Sequence, residues 1–123
     1  MKKKDILDRT DIEKLVNRFY AKVKQDDLIS FIFTDIAKLD WDKHLPVMYD
    51  FWEGVIFFTS TYKGNPMTSH RKLNEMVKLK AEHFDRWLLL FKSTVDENFD
   101  GEKAELAKQR AISIATIMQL NIG

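Results

Sequence analysis

An all-α domain is what this sequence predicts, and three observations predict it. Its 123 residues include only two prolines and four glycines, few breakers for a chain built of strands and tight turns. Apolar residues recur at steps of three and four, the period of helices with one buried face. Helix-start signals, Thr10 with Glu13 and Asp100 with Glu102, stand ahead of two of the periodic stretches. No internal repeat or low-complexity linker divides the chain, and its length suits a single domain spanning 1–123 that buries roughly two-thirds of its unfolded surface.

The elements follow in order. Residues 1–9 read as a flexible lead-in, with Lys2 to Lys4 a charged, disordered end. Thr10 and Glu13 form a capping-box pattern, so a helix is expected from about Asp11 to Gln25, burying Ile12, Leu15, Val16, Phe19 and Val23. Asp26 and Asp27 interrupt it, and Leu28 to Phe33 reads as a short, mostly buried helical turn. The next helix has the cleanest period: Trp41, Leu45, Met48, Trp52, Val55 and Thr59 fall along one face. Pro46 has no amide to bond the Asp42 carbonyl, so 41–45 is expected as a distorted first turn, with the regular helix starting near His44 or Leu45. Thr59 to Ser69, centred on Gly64, Asn65 and Pro66, reads as a loop, with His70 on a short helical piece beyond it.

A long helix is expected from about Asn74 to Asn98. It carries Leu79, His83, Trp87, Leu90 and Thr94 on one stripe and Phe84, Leu88, Phe91 and Val95 on another, so it is buried on more than one side. Asp100 offers an N-cap for a last helix ending near Leu120, with Ala104, Ala107, Ala111, Ile114 and Met118 facing inward.

Composition narrows function. Twenty Lys and Arg stand against 19 Asp and Glu, a formal charge of +1, which gives no global field for nucleic acid or a membrane surface. The basic start is followed by charged residues instead of an apolar run of about 7–15, so no signal peptide is expected. The longest apolar run, Trp87 to Phe91, falls far short of the ~20 residues that span a bilayer. A soluble, cytoplasmic protein is the expectation. Without cysteine, disulfides, thiolate zinc sites, iron–sulfur clusters and thiolate-held haem are excluded, leaving histidine and carboxylate as strong ligands. There is no serine with a nearby acid and base, no phosphate loop, no HExxH and no basic stripe interleaved with aromatics.

Two of the three histidines, His44 and His70, bracket the aromatic-rich helix and its following loop. Around them Trp41, Met48, Phe51, Trp52, Phe57, Phe58, Trp87 and Phe91 suit the walls of a slot for a flat macrocycle. Imidazole is the commonest metal ligand and the proximal ligand of many haem irons.

Four blocks carry a resemblance: RFYAKV at 18–23, HLPVMYDFW at 44–52, YKGNPMTSH at 62–70 and HFDRWLLLF at 83–91. In that order and near that spacing they resemble the group III truncated haemoglobins, a branch of the two-over-two globin family. The resemblance covers almost the whole chain. It implies a truncated globin, a two-over-two helical sandwich, with one haem b whose iron is held by His70. Thioether attachment is impossible without cysteine.

The resemblance further implies that Tyr20 and Trp87 act as distal donors to a bound ligand, each having core packing as its plainer alternative. Three roles stay open for His44: a gate, a donor to the ligand, or a sixth iron ligand; a solvent-facing side chain in a frayed turn is the fourth reading. Phe33 corresponds to the phenylalanine that packs on the macrocycle, Met48 and Phe51 to the pocket wall, and Trp52 chiefly to the packing behind it. Arg71 is the first candidate for a haem propionate, followed by Tyr62, Lys72, Lys78 and Arg86. His83 fits either a propionate contact or a satisfied interior histidine.

On this footing the expected activity is reversible binding of dioxygen and other diatomic ligands, serving nitric oxide dioxygenation or peroxide reduction rather than bulk oxygen transport. Both reactions need electrons from a separate reductase. The chain is expected as a monomer or weak dimer. The competing class is a haem-free helical sensor or interaction module with a globin-like fold.

Overall fold

The computed structural model describes residues 3–33, 40–58 and 79–122. Four helices make up most of this: α1 (Arg9–Gln25), α2 (Trp41–Phe57), α3 (Ala81–Asn98) and α4 (Glu102–Ile122). Helix α1 packs on α2 and α3, α3 on α4, and α2 on α4. Two helix pairs thus lie across one another, the two-over-two sandwich expected, with no strand among the described residues. No helix among them is long and apolar enough to cross a membrane. The expected loop over 59–69 and the expected helical residues 74–78 lie outside the described residues.

The core is the sum of the helical stripes. Ile12, Leu15, Val16, Phe19 and Val23 of α1 meet Ile56 of α2 and Phe91 and Val95 of α3, all essentially removed from water. Each such side chain contributes about 1.5–3 kcal/mol by leaving water. Helix α4 supplies Ala104, Ala107, Ala111, Ala115 and Met118. Its stripe of methyl groups lets the neighbouring helices come close. Ile114, expected inside, is only partly buried.

The helix ends differ from the sequence expectation in four places, each for a local reason. Helix α1 starts at Arg9, capped by Asp8, whose carboxylate accepts from the Asp11 amide at 3.2 Å. Asp11 reaches back to accept from the Leu7 amide at 2.9 Å, so the reciprocal bonding expected of Thr10 and Glu13 is made by two aspartates instead. Helix α2 is regular from Trp41, because the Asp40 carbonyl accepts from both Lys43 and His44 and so closes the first turn ahead of Pro46. Helix α3 starts at Ala81, later than expected, since Leu79 and Lys80 are not helical and Lys80 is extended. The Lys80 amide donates to His83 Nδ1 at 3.0 Å, a bond that takes the place of a preceding helical turn.

The fourth difference is the largest. Asp100 does not cap α4; Asp5 does, accepting from the amides of Lys103 at 2.9 Å and Ala104 at 2.8 Å. Residues 3–8, expected as a loose lead-in, are therefore tied to the body. Ile6 is 1% exposed, Lys4 pairs with Asp11 at 2.8 Å, and the Lys4 carbonyl accepts from the Asp100 amide. Gly101 permits this docking with φ at +147°, where a side chain would collide with the Asp5 carboxyl.

Candidate functional site

Helix α1 presents Tyr20 at the edge of its buried stripe, and α2 crosses so that His44, one turn into the helix, faces it. The Tyr20 hydroxyl lies 3.2 Å from His44 Nε2, with the rings edge-on at 5.3 Å. At 6% exposure Tyr20 is nearly sealed from water, and burial pushes its phenol well above the ordinary value of 10.0. It therefore stays protonated at any working pH. When Nε2 is bare, Tyr20 donates to it; when Nε2 carries hydrogen, Tyr20 accepts and its own O–H is released to point elsewhere. Among the described residues this core phenol has an imidazole as its polar partner.

Aromatic rings surround this pair. Trp41 contacts Tyr20 at 5.3 Å and His44 at 5.8 Å, while Phe33, on the turn after α1, stands edge-on to Tyr20 at 6.1 Å. On the other flank Phe19 meets Trp87 edge-on at 5.8 Å. Trp87 is half-buried and runs nearly parallel to Phe91, which stacks at 4.5 Å on Trp52. Among the described residues the Trp87 indole N–H, a donor only, has no hydrogen-bond acceptor. Trp52 is deep in the core at 3% exposure, whereas Met48 and Phe51 are half-buried.

A charged pair fixes the rim. Arg86 Nη1 donates to Asp26 at 2.7 Å, and the Asp26 carboxylate also accepts from the amides of Leu28 and Ile29. Burial opposes ionisation of Asp26, but the Arg86 guanidinium and the two amides outweigh it and hold the carboxyl below its ordinary range. This joins the Phe33-bearing turn to α3 one residue before Trp87. Arg86, weighed as a cation for propionates, is thus committed to Asp26. His83 is half-buried: its Nδ1 accepts from the Lys80 amide and its ring lies edge-on to Phe31 at 6.2 Å.

A profile of the bacterial-like globin family matches residues 6–120. The chain belongs to that family. This globin is also 28% identical over 118 residues to "Group 3 truncated hemoglobin ctb" of Campylobacter jejuni, an alignment covering 94% of this chain and 91% of that one. The crystal structure of the group III truncated hemoglobin from Campylobacter jejuni superposes with a TM-score of 0.85, at 28% identity, over 98% of this chain and 95% of the other. The resemblance seen in the four sequence blocks is borne out across the chain, and so is the truncated globin fold.

Globins are haem proteins, and haem binding comes with membership of the family. The described side chains of this globin fit such a group. Phe33, Leu45, Met48, Phe51, Val55, Leu79, Trp87 and Leu88 are large apolar residues left only partly buried beside the core. Beside them stand the Tyr20–His44 pair and, in contact with the neighbouring Phe19, the Trp87 indole. That is the composition of a site for a flat, largely apolar ligand with a polar end on one side. Tyr62, His70 and Arg71, together with Lys72 and Lys78, lie outside the described residues. Sequence reasoning gave Trp41 a place on the apolar face but missed its contact with Tyr20 and His44. Its position three residues before His44 was the available signal.

Proposed function

We propose that this globin holds haem b through His70, and that Tyr20, His44 and Trp87 line the side on which dioxygen or another small diatomic ligand binds. When bound, the haem supplies an iron centre for reversible ligand binding and for redox chemistry with nitric oxide or peroxide. The chain's own residues supply the rest. Tyr20, kept protonated by burial, donates to the ligand when His44 Nε2–H donates to the phenol oxygen. Trp87 adds a second donor through its indole N–H. Phe33, Met48 and Phe51 provide apolar contact with the macrocycle, with Trp52 as support behind them, and Arg71 and Tyr62 bond its propionates.

The observation that carries this reading is the 3.2 Å Tyr20–His44 pair, a buried phenol with an imidazole as its polar partner. Two donors converging on one ligand slow its release, which suits nitric oxide dioxygenation or peroxide reduction better than bulk transport. An external reductase completes either cycle. The test is direct: purified protein shows an intense Soret band, and His70→Ala abolishes haem retention. Unchanged haem content in His70→Ala refutes the proximal assignment, and a chain that takes up no haem at all supports a helical sensor or interaction module. Stopped-flow mixing of the dioxygen complex with nitric oxide, run beside peroxide turnover, separates the two reactions.

A further inference from the structure

The turn that carries His44 is closed by backbone bonds from Lys43 and His44 to the Asp40 carbonyl. Asp40, its N-cap, makes no side-chain capping bond, and Pro46 leaves the Asp42 carbonyl without its helical donor. Trp41, the first residue of α2, adds side-chain contacts to this turn. One face of the Trp41 ring is occupied by Lys24, from the last turn of α1, whose Nζ lies 4.3 Å from the ring centre. The same indole is edge-on to Tyr20 at 5.3 Å and to His44 at 5.8 Å. Lys24 is exposed, so the latch can be weakened without opening the core.

We propose that Lys24 and Trp41 are positioning residues: their cation–π contact is a latch that holds the His44-bearing turn over Tyr20 and thereby sets how often the space beside Tyr20 opens to an entering ligand. The ligand-entry half of this inference rests on the function proposed above; the latch half does not. Arginine can replace lysine over an indole face, whereas glutamine shortens the stem and removes the charge.

Two measurements on the full chain test it. The amides of Lys43 and His44, both bonded to the Asp40 carbonyl, report opening of the turn by hydrogen exchange. Carbon monoxide association after flash photolysis reports entry. In Lys24→Gln both rise roughly 2–5-fold, the factor that loss of an exposed cation–π contact gives, while exchange along α4 is unchanged and Lys24→Arg restores both. Unchanged exchange at Lys43 and His44 in Lys24→Gln, an equal rise along α4, or no recovery with arginine overturns the latch. Faster exchange with unaltered carbon monoxide association overturns the entry role and leaves the proposed function standing. A chain without haem overturns the proposed function, and the exchange data still decide the latch.

Discussion

Replacing Gly101 by alanine tests how the two ends of the chain are joined. Its φ of +147° is a conformation alanine disfavours, and an added Cβ would stand 2.5 Å from Asp5 Cγ and 2.8 Å from Asp5 Oδ2. Ordinary contact needs about 3.5–4.0 Å between carbons, so Asp5 must withdraw by about 1 Å and release the amides of Lys103 and Ala104. Backbone strain of about 1–3 kcal/mol then adds to a lost cap of about 1 kcal/mol. The expected loss is about 2–4 kcal/mol, a large part of the ~5–15 kcal/mol that holds a typical domain together. Urea unfolding followed by circular dichroism, with every variant in one ligation state, gives the number. Asp5→Ala alone should cost only about 1–2 kcal/mol. On that background Gly101→Ala should be milder than in the parent, because its collision partner is gone. A loss under about 1 kcal/mol, or strictly additive effects of the two substitutions, would refute the reasoning.

Three further outcomes follow from the structure. Tyr20→Phe should keep haem but release dioxygen roughly 10–100-fold faster, the effect of losing about 1.5–3 kcal/mol of hydrogen bonding; an unchanged dissociation rate by stopped flow would rule out a donor role. Acid should unfold the protein through Asp5, Asp11 and Asp26, each of which resists burial through its bonds and lies below the ordinary 3.8. Because their folded pKa values are depressed, the stability they contribute is full above the unfolded value. It declines as pH falls from there to the folded values, so urea midpoints should be flat near neutrality and drop only below about pH 4–5. Phe58, left-handed at φ 60° and 72% exposed, ends α2 at a conformation that suits glycine. Phe58→Gly should raise stability by about 0.5–1 kcal/mol after allowing for the lost contact with Lys103, and a lower urea midpoint would contradict this.

The helices were legible because their stripes are dense: Ile12, Leu15, Val16, Phe19 and Val23 announce α1, and each proved buried. The ends of the helices were less legible, since a cap can come from far away. Asp100 sits where a local cap belongs, yet Asp5, nearly a hundred residues earlier, has the carboxylate that reaches the α4 amides. The site divides the same way. Tyr20, His44 and Trp87 stand out as polar or amphipathic residues on apolar faces, and the structure brings Tyr20 and His44 into contact. Arg86 could not be assigned from sequence, because a cation near a rim and a cation paired with Asp26 look identical until the chain is folded. Lys24 gave no signal at all; its contact with Trp41 exists only through the crossing of α1 and α2.

The clasp between Asp5 and the amides of Lys103 and Ala104 has a consequence for the order of folding. It joins residues nearly a hundred positions apart, so the loop it closes is long and its formation should follow that of the local helical turns. Damage to one half of the clasp should therefore be felt at the other.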